Sequence, residues 1–283
     1  MEGNSVFDTI RSRTSWRSYS EKDISPEHKK KIDYIINNST TGPFGNIVKT
    51  NLVSKELPGN MALKLGTYGF INGAKYFIIG IIKNGNNNFL DFGYVFEKII
   101  LELSALNIAS CWLGGTFKRG EFARTVNLNN DEFIPAISPV GYPSTSRSIK
   151  DTLIRMGAGS HKRKSFDQLF FNNSFSIPLK YDDCGEFCKV LEMVRLAPSA
   201  SNRQPWRIIK EKDSNNFHFY ICRDKNYQKI IKHSDLQMID MGIAMCHFEL
   251  GAKELGLKGH WKILQTVDNI GESLYLFSWI ENI

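Results

Sequence analysis

Asp91–Trp112, DFGYVFEKIILELSALNIASCW, and Asp240–Trp261, DMGIAMCHFELGAKELGLKGHW, have the same length and align without a gap. The alignment pairs Asp91 with Asp240, Gly93 with Gly242, Leu101 with Leu250, Leu106 with Leu255 and Trp112 with Trp261. Most positions between them differ, as Leu103 does from Ala252, but anchors that keep one offset over a whole helix are the mark of an internal duplication. The flanks repeat too. A strand-like run precedes each helix, AKYFIIGIIK (Ala74–Lys83) and FHFYICR (Phe217–Arg223), and another follows it, IPAISPVGYP and SLYLFSWI. Short helical patterns around Ile32–Ile36 and Val190–Val194 open the two halves. The order per half is helix, loop, strand, long helix, strand, which predicts an α+β fold with helices covering a mixed sheet. The first half is expected over residues 1–160 and the second over 161–283, joined by the polar, Ser-rich stretch STSRSIKDTLIRMGAGSHKRKS. Val95, Phe96, Ile99, Ile100, Leu103 and Leu106 make the first long helix apolar over much of its surface, so burial is expected, with the two long helices packed as a pair between halves.

A chain of 283 residues with 42% hydrophobic and 23% charged residues has the makeup of a globular protein with ample core. The net charge of +7 suits an anionic cofactor. Its basic residues are scattered apart from His161–Lys164 and His28–Lys31, and the latter lie on a helix opened by Ser25-Pro26-Glu27, so a solvated face is expected and no nucleic-acid partner. Cys111, Cys184, Cys188, Cys222 and Cys246 are odd in number and lack zinc spacing, which predicts reduced structural thiols. MEGNSVFDTIRSR lacks the charged-then-apolar order of a signal peptide, and there is no apolar run of about 18 residues. A cytoplasmic chain without a membrane span is the expectation.

Three segments can carry chemistry. Ala197–Trp206, APSASNRQPW, sets two hydroxyls and two amides between prolines, after a helical run (Phe187, Val190, Leu191, Val194) and before an apolar one (Trp206, Ile208, Ile209). Such a loop offers donors and acceptors to a flat heteroaromatic edge, although its residues alone equally fit an ordinary polar connection. Near the start, Arg13, Thr14, Ser15 and Arg17 alternate guanidinium and hydroxyl groups that can surround a phosphate. After the first long helix, Cys111-Trp112-Leu113-Gly114-Gly115 ends in two glycines whose backbone admits a close planar ring, or simply turns the chain.

The loop Ala197–Trp206 resembles the PS-x-x-N-x-QPW signature of the FMN-dependent nitroreductase family, with Pro198, Ser199, Ala200, Asn202 and Gln204 on its positions. Arg13, Ser15 and Arg17 match the family's R-x-S-x-[RK] segment, which holds the FMN phosphate and ribityl chain. Leu113, Gly114 and Gly115 match its G-x-x-x-C-W-L-G-G turn beside flavin N5, with Asn107 in place of the leading glycine, a residue that also tolerates the left-handed conformation. A backbone N–H at N5 would stabilise the reduced anion. SPVGYPS resembles the closing core strand. HKRKSFDQLFF resembles R-K-P-x-E-E, in which the arginine reaches the phosphate; Arg163 carries the match, Ser165, Asp167 and Gln168 depart from it, and a solvated basic run explains the stretch as well. For the family lysine facing the flavin pyrimidine no residue is assigned; Tyr68 and Gly69 lie in that region.

The resemblance covers the whole chain and shares the pieces unequally. The first half has the arginine segment, the double glycine and Arg163, but reads TTGPFGN where the second has PSASNRQPW; the second reads WKIL where WLGG would follow. A fused pseudo-dimer with one composite flavin site is implied. The implied activity is NAD(P)H-dependent reduction of nitro, quinone or related small acceptors in two hydride half-reactions, with the cofactor doing the chemistry and no catalytic side chain. The alternatives are a flavin- or nucleotide-binding protein without turnover and a more specialised member, such as a reductive dehalogenase or a flavin-consuming enzyme.

Overall fold

The computed structural model describes residues 5–56, 63–145, 162–224 and 234–282. The expected boundary at 160/161 and residues 146–161 of the expected linker lie outside them. The chain divides into two compact units, one of Ser12–Ala158 and one of Gly159–Ile283 together with Ser5–Arg11. Thus most of the first helix, α1 (Val6–Ser12), groups with the second unit, where the Val6 N–H meets Glu254 Oε1 at 3.3 Å.

In the first unit α2 (Pro26–Asn38) starts as its sequence dictates: Pro26 occupies the first turn and the Ser25 hydroxyl accepts from the His28 N–H at 3.2 Å. There follow β1 (Lys49–Ser54), β2 (Tyr76–Lys83), α3 (Asn88–Ala105), β3 (Ala109–Ser110), α4 (Arg119–Ala123), β4 (Glu132–Phe133) and β5 (Ile137–Gly141). The sheet runs β1-β2-β5-β3, with β4 on β2, and every strand pair is antiparallel. Burial of α3 is as expected: Phe92, Phe96, Ile99, Ile100, Leu101 and Leu103 are wholly enclosed. Gly80 in β2 lets that helix lie close, since a Cβ there would stand 2.6 Å from the Phe92 ring.

The second unit contains α5 (Phe166–Leu169), β6 (Phe170–Asn172), α6 (Phe187–Leu196), β7 (Trp206–Lys210), β8 (Phe217–Ile221), α7 (Leu236–Glu254), β9 (Gly259–Lys262) and β10 (Leu274–Glu281). Its sheet runs β6-β7-β8-β10-β9; β6 joins β7 in parallel and the other pairs are antiparallel, so this sheet is mixed. Without β6 the order β7-β8-β10-β9 repeats β1-β2-β5-β3 strand for strand. The core is aromatic, with Phe219 stacked on Phe277 and set edge-on to Phe248 and Trp261.

The duplication extends to atoms. Leu103 O accepts from the Leu106 and Ile108 N–H groups, as Ala252 O does from Leu255 and Leu257. Asn107 and Gly256, the matching residues, turn each helix end with φ of 57° and 72°. The matching indoles of Trp112 and Trp261 each donate to a glutamate, Glu97 at 2.7 Å and Glu249 at 2.6 Å, taken from different helical turns.

One expectation fails. Cys184 and Cys188 form a disulfide, with Cα atoms 5.2 Å apart. Gly185, at φ 53°, turns the chain between the 3₁₀ turn Tyr181–Cys184 and α6, and so brings a four-residue spacing within bonding reach. Cys111, Cys222 and Cys246 are in no disulfide among the described residues.

Candidate functional site

Two of the expected segments come together in the first unit. Ser15 bridges Ser110 of β3 in parallel, and the Trp16 N–H donates to Ser110 O at 2.9 Å. Asn72 N–H takes Arg17 O at 2.8 Å on the other side. The strip holding Arg13, Thr14, Ser15 and Arg17 is thereby fixed beside the strand that runs into Cys111–Gly115. Arg13 Nε is buried and has no hydrogen-bond partner among the described residues. A buried cationic donor without an acceptor is costly, and an anion at that atom would satisfy it. FMN, with a phosphate at one end, fits this donor.

Leu113 is used by the sheet: it exchanges backbone bonds with Ile137 at 2.9 and 3.0 Å and is buried. Gly114 and Gly115 are not, and neither N–H is bonded to a described residue. The turn is set by Arg119 at the start of α4. Its guanidinium donates to Gly114 O at 2.8 Å, Pro135 O at 3.0 Å and Ile134 O at 3.0 Å. Burial pulls its pKa below the usual arginine value. In a trans peptide the C=O of Gly114 and the N–H of Gly115 point opposite ways, so a carbonyl gripped by Arg119 turns that N–H away from the guanidinium.

In the second unit the loop Ala197–Trp206 is strained and braced. Ser201, Asn202 and Gln204 take φ of 48°, 54° and 48°, left-handed values that non-glycine residues hold only when their surroundings impose them. Here the surroundings are hydrogen bonds. Ser199 Oγ accepts from the Gln204 N–H at 2.9 Å, and the Gln204 amide reaches Asn202 O at 3.0 Å and Oδ1 at 3.2 Å. The segment Lys162–Lys164 lies on the loop. Asn202 Nδ2 donates to Lys162 O at 2.9 Å, the Lys164 N–H to Gln204 Oε1 at 2.9 Å, and Arg163 Nη1 to Ala197 O. Side-chain groups of Ser199, Asn202 and Gln204 thus shape the loop, and Arg163, counted in the sequence with the first half, belongs instead to the second unit and meets the same loop. Where the sequence departs from R-K-P-x-E-E there is a local reason: Gln168 Oε1 accepts from the Ser165 N–H at 3.1 Å and caps α5.

Each unit fastens the loop after its short helix to the aspartate that begins its long one. Asp240, 2% exposed, accepts the Ala200 N–H at 2.9 Å through Oδ1. Burial pushes its carboxyl well above the usual aspartate value. Asp91, enclosed in the first unit, accepts the Phe44 N–H at 2.9 Å and the Asn46 N–H and Nδ2 at 2.9 and 2.8 Å. Burial raises its pKa too, and those three bonds oppose the rise.

The sequence reading missed Arg119, Lys164 and the role of Asp240. Lys164 Nζ and Arg207 Nη1 converge on Gln204 O at 3.3 and 3.1 Å. Burial first, and the nearby Arg207 charge second, lower Lys164 to about 8. Asp240 was visible only as an anchor of the repeat; nothing in FKRGEF marks Arg119.

A family model described as "Putative TM nitroreductase" matches residues 5–252. The chain is similar to the crystal structure of a "putative nitroreductase" from Thermotoga maritima, at 20% identity and a TM-score of 0.61, over 100% of this chain and 96% of that one. It also matches a Bacteroides fragilis nitroreductase with bound FMN, at 17% identity and a TM-score of 0.39 over 52% of this chain and 92% of that one. A "putative nitroreductase" in complex with FMN from Desulfovibrio desulfuricans matches at 19% identity and a TM-score of 0.39, over 53% and 96%. Comparison with curated proteins gives no match. Among the described residues no helix is long and apolar enough to cross a membrane.

Proposed function

Because the chain belongs to the nitroreductase family whose model spans residues 5–252, we propose that it is an FMN-dependent oxidoreductase that takes electrons from NAD(P)H and passes them to nitro, quinone or related small acceptors. The observation that carries this reading is the buried Nε of Arg13, without an acceptor among the described residues, on a strip pinned beside the double-glycine turn. Arg13 and Arg17 would hold the phosphate with Arg163, and Thr14 and Ser15 the ribityl chain. The backbone N–H groups of Gly114 and Gly115 would face the ring, and Pro198, Ser199, Ala200, Asn202 and Gln204 would bind the cofactor too. We place one composite site in each chain, with donor and acceptor using it in turn, and the reaction in the cytoplasm. When bound, FMN supplies the two-electron chemistry, and the residues here bind it, orient it and exclude water.

The test is to measure flavin per purified chain and then add NADH or NADPH without oxygen. One FMN per chain that bleaches is the expected result; bound flavin that stays oxidised would make the chain a flavin carrier. Arg13→Ala removes charge-assisted bonds and is expected to weaken FMN about ten- to a hundredfold. Unchanged FMN affinity in that variant would overturn the assignment.

A further inference from the structure

Asp91 and Asp240 occupy one position of the duplicated helix, yet their carboxyls are used differently. Both oxygens of Asp91 are taken, by two backbone N–H groups and the Asn46 amide. The loop lies so near that a Cβ on Gly42 would come within 2.3 Å of the Asp91 side chain. Asp240 uses one oxygen, on the Ala200 N–H, while its buried Oδ2 meets no hydrogen-bond partner among the described residues.

The single bond sits at a decisive peptide. The Ser199–Ala200 unit gives its N–H to Asp240, and its carbonyl, facing the other way, accepts the Asn202 N–H at 3.0 Å. That second bond closes the turn in which Ser201 and Asn202 take left-handed φ. A grip on the N–H therefore fixes the plane on which the turn is built. Left-handed non-glycine residues persist only where such contacts over-determine them.

We propose that Asp240 is the positioning residue of the loop Ala197–Trp206, holding it through the Ala200 N–H in the conformation that receives the cofactor, and that the saturated carboxyl of Asp91 marks the first-half loop as closed to a ligand. The proposal rests on the FMN reading above. Burial pushes the Asp240 carboxyl well above the usual aspartate value, and its grip on the Ala200 N–H needs an acceptor oxygen, which an uncharged side chain can also supply. An asparagine has that oxygen. Rescue by asparagine therefore separates this role from one that depends on a negative charge.

The experiment uses the full chain stripped of flavin, titrated with FMN by fluorescence, with amide exchange at Ala200 followed in the flavin-free protein. Asp240→Ala is expected to weaken FMN about tenfold or more, as loss of a buried bond implies, and to speed Ala200 exchange. Asp240→Asn is expected to restore both to near the parent values. Asp91→Ala is expected to lower Tm and leave FMN affinity within about threefold of the parent, under 1 kcal/mol. Should Asp240→Ala not fold, Asp240→Leu, which branches at the same carbon and has no acceptor, replaces it. A folded Asp240 variant with parental FMN affinity and parental Ala200 exchange would overturn the proposal, as would Asp91→Ala weakening FMN as much. A parent chain that takes up no FMN would instead sink the oxidoreductase reading, while Ala200 exchange would still report on the Asp240 grip.

Discussion

Arg119 and Lys164 show how two half-buried cations can do different work. Arg119 meets three backbone carbonyls with a fixed fork, and a lysine cannot reproduce that geometry. Arg119→Lys is expected to cost about 1–3 kcal/mol in denaturant unfolding, because buried carbonyls lose their donors. It should also weaken FMN, since the Gly114–Gly115 peptide is then free to rotate; unchanged stability and affinity together would show that the fork is dispensable. Lys164 is held below its unfolded value, at about 8, by burial first. In the folded chain its charge is penalised below that pH, and the unfolded chain carries the extra proton from there up to about 10.4. The parent therefore gains stability as pH rises through that window. Lys164→Met is expected to have a higher Tm than the parent at pH 7, with the gap closing between pH 8 and 10. A gap that is absent at pH 7, or constant with pH, would mean that solvent screens this lysine.

At the scale of elements, the long helices show what a sequence can and cannot reveal. The apolar surface of the first and the anchors shared by both announced α3 and α7, and the strand-like runs on either side announced β2, β5, β8 and β10. Residues such as Phe92 and Ile100 declare burial through hydrophobicity, a property each residue carries by itself. Gly80 is quieter. Its need for bareness comes from the Phe92 ring, twelve positions away in sequence and 2.6 Å from where a Cβ would be. Gly80→Ala is expected to destabilise the first unit by about 1–3 kcal/mol through overpacking, measured by thermal or denaturant unfolding. A neutral effect would mean that α3 can shift. Of the candidate site, Arg13, Ser15, the double glycine and the loop Ala197–Trp206 stood out in the sequence through their resemblance to family motifs. The braces did not, because Arg119, Lys164 and Asp240 act on carbonyls and N–H groups that sequence leaves unplaced. The Cys184–Cys188 disulfide was hidden for a like reason, since the turn at Gly185 decides whether a spacing of four can close.

For the whole molecule, the halves keep one strand order and differ in what their loops leave available. In the first unit the Gly114 and Gly115 N–H groups meet no described partner, whereas the loop near Asp91 is tied down by three bonds. The second unit differs at both places. There β9 ends at Lys262, paired to Ser278, and the positions matching Gly114 and Gly115 hold Ile263 and Leu264, of which the Leu264 N–H donates to the Tyr275 hydroxyl at 3.0 Å. The loop Ala197–Trp206, in contrast, keeps its left-handed residues and its partly used aspartate. Each half thus retains the piece that the other has converted to structure. If the proposed site draws on both, a chain can complete it once, and titration of flavin-free protein should saturate at one FMN per chain at any protein concentration. Saturation at two would show that the stretch after Trp261 and the loop near Asp91 still serve a second site, and would overturn the single composite site.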